Sequence, residues 1–168
     1  MQLCLRPIDR SNYNDCIRLK VREDQEGFVA TNAYSLVQAA YEPRLYPLGI
    51  YDDDKMVGFI LYDYDEDIPG WSMSRFMIDV AFQGQGYGKK ALREFIRLFK
   101  EQYPTVQQLY TSAEVNNSLA ISMYEKAGFV KGEVITYDVY GEIHREVRMV
   151  LSLQMLTEHI QDTDGDIL

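Results

Sequence analysis

The chain predicts one domain that mixes α-helices with β-strands, and three observations carry that expectation. Its 168 residues are 46% apolar, enough for a core of ordinary size. Segments of strand-like and helix-like periodicity follow one another along it. Between two of them, Phe82-Gln83-Gly84-Gln85-Gly86-Tyr87-Gly88-Lys89-Lys90 joins a strand to a helix through three glycines.

Taken in order, residues 3–8 read as an opening strand and residues 11–21 as a helix. Tyr13, Cys16, Ile17 and Lys20 give that helix a mixed face, and Asp9 or Ser11 can cap it. Residues 35–41 predict a short second helix, with Pro43 beyond its end. Residues 46–51 and 56–62 look like strands flanking a hairpin turn at 52–55, which gives the Asp52-Asp53-Asp54 cluster a structural role. A long strand spans residues 72–80. The next helix is marked by Ala91, Leu92, Phe95, Ile96 and Phe99 at helical spacing, and Pro104 follows it. Strand, helix, strand, strand complete the order, with 109–113 as the first of these strands and 133–139 and 146–153 paired around Gly141-Glu142. Residues 1–153 therefore form one domain without repeat or linker, and residues 154–168 a polar tail. The Asp162-Thr163-Asp164-Gly165-Asp166 run lacks the glycine position and the closing glutamate of a calcium loop, so a frayed or partner-packed terminus is expected.

Composition excludes several classes. A net charge of −9 opposes binding to a phosphate backbone, so no nucleic-acid partner is expected. It suits a cationic substrate. No apolar run reaches the roughly 20 residues that span a bilayer, and the N-terminus carries charges where a signal peptide needs an apolar core. A soluble cytoplasmic protein without membrane contact is expected. Cys4 and Cys16 make no disulfide framework and read as reduced structural thiols. His144 and His159 have no metal-ligand spacing, so no metal is expected, and His144 is placed at an exposed strand position.

The glycine loop carries the chemistry. Glycines tighten the chain and present bare N–H groups, and a helix N-terminus adds the positive end of its dipole. Lys89 and Lys90 add charge, so a phosphate or pyrophosphate is the ligand this segment predicts. A P-loop is excluded because the Gly-Lys-Ser/Thr ending is missing. A dinucleotide fold fits poorly, since several strand candidates precede the loop and no acidic residue is placed to hold a ribose.

Gln83-x-x-Gly86-x-Gly88 resembles the acyl-CoA signature of the GCN5-related N-acetyltransferase (GNAT) superfamily. Asn117-x-x-Ala120-x-x-x-Tyr124-Glu125-Lys126-x-Gly128-Phe129 resembles that family's second motif, in the same order and at similar spacing. The likeness covers roughly residues 3–153 and is most specific between 75 and 129. It implies a GNAT fold of α/β (α+β) class: a central mixed, mainly antiparallel sheet, splayed between strands 4 and 5 and flanked by about four helices. It also implies acetyl-CoA as co-substrate. Backbone groups of Phe76, Met77 and Ile78 would pair with the pantetheine arm. The segment Gln83, Gly84, Gln85, Gly86, Tyr87, Gly88 and Lys89 would hold the pyrophosphate, and Asn117, Ala120 and Lys126 would contact the cofactor from the second motif.

The resemblance further implies direct attack of an amine on the thioester. Most of a primary amine with a pKa of about 10.4 arrives protonated and must lose a proton first. Tyr124 is expected to return a proton to the leaving thiolate, and a fourth-strand N–H to hold the oxyanion. Glu114 and Asp79 are both candidates for the base, acting through water. Residues 22–30, 35–36, 46–51 and 75–79 resemble bacterial spermine/spermidine acetyltransferases. A polyamine acceptor follows, with Glu23, Asp24 and Glu26, joined by Asp65 and Glu66, as a groove for its ammonium groups. Each exposed pair contributes only about 1 kcal/mol, so several carboxylates must act together. Another amine (an aminoglycoside, an amino acid or a protein N-terminus) is the alternative, as is a non-catalytic acyl-CoA sensor. A homodimer is expected.

Overall fold

The computed structural model describes residues 3–68 and 70–154, so the tail expected from residue 154 lies almost wholly outside the described residues. Seven strands form one sheet: β1 (Leu3–Pro7), β2 (Leu45–Asp52), β3 (Lys55–Asp65), β4 (Gly70–Ile78), β5 (Gln108–Glu114), β6 (Val130–Val139) and β7 (Glu142–Ser152). Four α-helices accompany them: α1 (Tyr13–Arg18), α2 (Asn32–Tyr41), α3 (Tyr87–Gln102) and α4 (Ser118–Lys126). The spatial order is β1-β2-β3-β4-β5-β7-β6. Every neighbouring pair is antiparallel except β4 and β5.

That exception opens the sheet. β4 and β5 pair only at Trp71↔Leu109, Ser72↔Tyr110 and Met73↔Thr111, yet β4 runs on to Ile78 and β5 to Glu114. A register shift at Leu61/Tyr62 leaves Ser74 as the extra residue of β4 where the strands part. A bulge of this kind bends a strand and re-aims its edge. Ser74, Phe76, Met77 and Ile78 consequently face β5 across a gap.

Helices cover the two faces unequally. α3 and α4 bury Leu92, Phe95, Phe99, Ile121 and Tyr124 against Ile60, Tyr62, Met73, Leu109, Met149 and Leu151. An aromatic cluster ties α3 to β3 and β4: the Trp71 and Tyr103 rings lie 4.3 Å apart and those of Tyr62 and Phe95 5.4 Å, each pair contributing about 0.5–1.5 kcal/mol beyond its burial. The opposite face carries a smaller cluster, in which Cys16 of α1 and Leu36 and Ala39 of α2 pack on Tyr51, Phe59, Leu61 and Met77. That cluster draws on β2, β3 and β4, and leaves the β5–β7 half of the second face without a helix among the described residues.

Several boundaries differ from those read in the sequence. α1 is shorter than 11–21 at both ends. Asp9 Oδ1 captures the Ser11 amide (2.7 Å) and Asn12 Oδ1 the Asp9 amide (2.8 Å), forming a turn ahead of the helix. At the other end the Lys20 amide donates to Asp79 Oδ2 (2.9 Å). α2 starts three residues before Ser35, because Thr31 Oγ1 caps it by accepting from the Tyr34 amide (3.2 Å). The acidic run after α1 is a 3-10 segment, Glu23–Phe28. β4 ends at Ile78 rather than residue 80, since Asp79 caps a short 3-10 turn, Val80–Phe82. The hairpin turn at Asp53 is as expected, with φ 52° there and Asp52 paired to Lys55.

Candidate active site

A cleft of about 1170 Å³ occupies the gap between β4 and β5 and continues along α3 and α4. Its walls are built from three kinds of surface. One is the unpaired edge of β4, with Ser74, Phe76, Met77 and Ile78, facing Thr111, Ser112 and Ala113 of β5. Backbone groups of an edge strand need partners, and a ligand chain that lies beside it can supply them.

The second is the glycine loop. Gly84 and Gly86 hold φ of 74° and 84°, a conformation open to glycine at little cost. Gly86 is the N-cap of α3, whose first turn holds no acidic residue but does hold Lys89 and Lys90. The first amides of a helix have no intrahelical acceptor, and cations there oppose the dipole unless an anion sits between. A sixteen-residue helix so begun could hold a pyrophosphate. Gln83 fixes the loop, its Nε2 donating to Ile78 O (3.0 Å) and to Gln25 Oε1 (2.8 Å). Lys89, Arg93 and Arg97 line the cleft along one side of α3. Their i, i+4, i+8 spacing was a readable signal that the sequence analysis passed over.

The third is α4. Asn117 Oδ1 accepts from the Ala120 amide (3.2 Å), capping the helix while its residue lines the cleft. Tyr124 is 5% exposed and packs on Phe129 with ring centroids 5.6 Å apart. Burial pushes its hydroxyl up to about 12, with the Glu146 charge adding and the Thr111 hydroxyl opposing. Tyr124 therefore stays protonated throughout the physiological range, so its hydroxyl can donate.

The cleft thus gathers Phe76, Met77, Ile78, Gln83, Gly84, Gly86, Tyr87, Gly88, Lys89, Asn117, Ala120, Tyr124 and Lys126. Gln85 is not among its lining; its Nε2 donates back to Ala81 O (3.0 Å). Asp79 is also outside, its carboxylate accepting from the Ala81 and Lys20 amides (3.0 and 2.9 Å). Glu114 is held by His144, with Oε1 2.7 Å from Nδ1. This pairing and the stacked Tyr137 ring leave His144 26% exposed rather than on an open strand position. Neither candidate base therefore lies on the cleft wall.

The five acidic residues of the expected groove are likewise not part of the lining. Asp24 pairs with Arg22 (3.0 Å), Glu66 with Arg44, and Asp65 accepts from the Asp67 amide (2.8 Å). From that part of the chain the cleft receives Arg22, Gln25 and Phe28 instead. Gln25 was not anticipated, because a contact 58 residues away in sequence leaves no local pattern.

Among the described residues no three potential ligands converge on a metal position, and no helix is long and apolar enough to cross a membrane. Comparison with known proteins places this architecture. A sequence model of the acetyltransferase (GNAT) family matches residues 13–129. The spermine/spermidine N(1)-acetyltransferase of Bacillus subtilis (strain 168) is 31% identical over 136 residues, covering 77% of this chain and 88% of that protein. Spermidine N-acetyltransferase from Vibrio cholerae, solved with CoA and spermine, superposes with a TM-score of 0.69 at 15% identity, over 91% of this chain and 96% of that one. The ribosomal-protein-S18-alanine N-acetyltransferase of Escherichia coli gives 0.69 at 17% identity, over 90% and 94%. The last two matches speak for the fold alone. With the family match extending across the glycine loop and the Asn117–Tyr124 segment, the chain belongs to the GNAT acetyltransferases, enzymes that draw their acyl group from acetyl-CoA.

Proposed function

We propose that this enzyme transfers an acetyl group from acetyl-CoA to a primary amine of a polyamine such as spermidine or spermine, by direct attack within a ternary complex. The observation that carries the reading is the parting of β4 and β5 beside a helix N-terminus with two lysines in its first turn. The gap accepts an extended arm along Phe76, Met77 and Ile78, and the amides of residues 84–89 hold the pyrophosphate at its end. Asn117 contacts the arm from α4. The thioester then lies at the splay, and Tyr124 donates to the sulfur.

The polyamine is supported by the Bacillus relative and by the net charge of −9. For Glu23, Asp24 and Glu26, on the 3-10 segment that also supplies Arg22 and Gln25 to the cleft, the role is attraction of a polycation towards its mouth rather than direct contact. A cytoplasmic location suits the buried Cys16, whose thiol burial raises to about 12 and keeps unreactive. A homodimer belongs to the same reading, and sedimentation showing only a species near 19.5 kDa contradicts it.

Incubation with acetyl-CoA and spermidine, followed by mass spectrometry, should reveal N-acetylspermidine. Acetylation of an aminoglycoside or a peptide in preference to every polyamine would replace the substrate and keep the chemistry. Tight acetyl-CoA binding without acetylation of any amine would make the protein an acyl-CoA sensor.

A further inference from the structure

One group is missing from that reading, an acceptor for the amine's proton. β5 turns Leu109, Thr111 and Ala113 into the core under α3 and α4, so Ser112 and Glu114 face the opposite side. β7 alternates likewise, burying Val147 and Met149 and turning His144, Glu146 and Arg148 the other way. Because α1 and α2 pack on the β1–β4 half, this polar half-face carries no helix among the described residues, and it meets the cleft at Ser112.

Behind Ser112 lies a single carboxylate. Ser112 Oγ donates to Glu146 Oε2 (2.5 Å), and the Tyr137 hydroxyl donates to Oε1 (2.6 Å). Tyr137 stacks on His144 at 5.4 Å between centroids, and His144 is bound to Glu114. Glu114 and Glu146 stand directly opposite in the β5–β7 register. Like charges in that position repel; one is matched by an imidazole and the other by two hydroxyls. The remaining titratable groups that interact with this network are Arg75 of β4, Glu142 of β7 and the neutral Tyr124 of α4, which feels the Glu146 charge.

Resting on the polyamine acetyltransferase reading, we infer that Glu146 receives the acceptor amine on the face of the splay opposite α3 and α4 and takes its proton, while Ser112 and Tyr137 hold the carboxylate in place. Glu114 is the poorer candidate: its carboxylate is tied to His144, and it meets the cleft wall only through its backbone, where Glu114 O accepts from the Asn117 amide (2.8 Å). An ionised carboxylate offers about four lone-pair positions, and two are used, so an ammonium can still be bound. Glu146 and Tyr124 then act from opposite faces of the sheet, the first on nitrogen and the second on sulfur.

The protons balance. One N–H bond of the ammonium breaks and its proton goes to Glu146. The freed lone pair forms the C–N bond to the thioester carbon, and the C–S bond breaks as the oxyanion collapses. Sulfur takes the Tyr124 proton. Nitrogen loses its second proton to water as the intermediate collapses, Tyr124 regains a proton from water and Glu146 releases the one it took, so that one proton in all passes to sulfur and one to solvent. In water the first transfer is uphill, from an amine of about 10.4 to a carboxylate of about 4.3.

The test compares wild type with Glu146→Gln on two substrates. One is spermidine. The other is a polyamine analogue with two fluorines on the carbon next to its terminal aminomethyl group, which leaves a large fraction of that amine neutral at pH 7. For spermidine, kcat/KM should fall by about 10²–10³-fold, the usual contribution of a positioned base, and what remains should rise in proportion to hydroxide. The fluorinated amine should lose far less, and the KM for acetyl-CoA should not change. Ser112→Ala and Tyr137→Phe, each removing one tether, should cost about tenfold, equivalent to one charge-assisted hydrogen bond. Equal losses for both amines, or none, overturn the inference. If Glu146→Gln does not fold, full activity in both tether variants overturns it. A wild type that acetylates other amines but no polyamine removes the underlying reading, an outcome distinct from an active wild type matched by its Gln variant.

Discussion

Replacing Gly86 by alanine isolates what the glycine loop does. Gly86 sits at φ 84° and ψ 2° as the N-cap of α3, and a Cβ built there meets nothing within 4 Å. The cost is therefore conformational rather than steric, about 1–2 kcal/mol for an L-residue in the left-handed region. For a chain of this size each kcal/mol moves Tm by about 2–4 °C, so Tm should fall by about 2–8 °C. If the loop escapes the strain by rotating, its amides turn away from the pyrophosphate. Losing one hydrogen bond to a charged group, at about 1.5–3 kcal/mol, weakens acetyl-CoA binding by about 10–100-fold. Gly27→Ala is the control, since its Cβ also meets nothing but its φ is ordinary; it should be neutral or stabilising by up to about 1 kcal/mol. Gly58→Ala is the steric contrast, placing a Cβ 2.5 Å from Met77 O and 2.9 Å from Ile50 Cδ1, and should destabilise most. Thermal unfolding and isothermal titration with acetyl-CoA read all three. Gly86→Ala indistinguishable from Gly27→Ala in both measurements would refute the reasoning.

Three further expectations separate stability from binding. Asn117→Ala removes the cap of α4 at about 1 kcal/mol and should also raise the KM for acetyl-CoA; Thr31→Ala removes the α2 cap at the same cost and should leave that KM unchanged. Unfolding and kinetics on one preparation check the pair. The carboxylate of Glu114 raises the pKa of His144 above its ordinary value, so their pairing stabilises the fold fully below about pH 6.5 and is lost as pH rises through the folded-state value. Glu114→Gln should flatten that part of a Tm-against-pH curve, and an unchanged slope would show that the pair contributes nothing. Ser74→Ala removes the hydroxyl that donates to Asp63 Oδ2 (2.7 Å), in a carboxylate whose pKa burial already raises; stability at pH 7 should fall by about 1–3 kcal/mol, measured by urea denaturation.

The glycine loop and the start of α4 were legible as elements because their signals are local. Gln83 to Lys89 and Asn117 to Lys126 are contiguous stretches, each spanning a turn and the start of a helix, and local spacing fixes where their side chains go. The hairpin at Asp53 was readable for the same reason. The contacts proposed to serve the acceptor were not, because they join residues far apart in sequence. That Ser112 meets Glu146, or Gln25 meets Gln83, follows from pairings 34 and 58 residues apart that no local pattern encodes. His144 looked like an exposed strand residue until the β5–β7 register put Glu114 beside it. Clustering in sequence misled in the opposite direction: the acidic runs at 23–26 and 63–67 drew attention, yet Asp24, Asp65 and Glu66 are engaged by arginines or backbone. The bounds of α1 were missed because Asp79, on a distant turn, takes the amide of Lys20.

The measurement that tests the central claim most directly is the initial rate of CoA release from acetyl-CoA with spermidine, spermine, an aminoglycoside, lysine and short peptides, run with Tyr124→Phe alongside wild type. The account predicts the highest kcat/KM with a polyamine and a loss of about 10²-fold in the variant, the low end for a positioned acid because a thiolate leaves readily, with acetyl-CoA binding retained. Turnover highest with another amine, or a variant as fast as wild type, would contradict it.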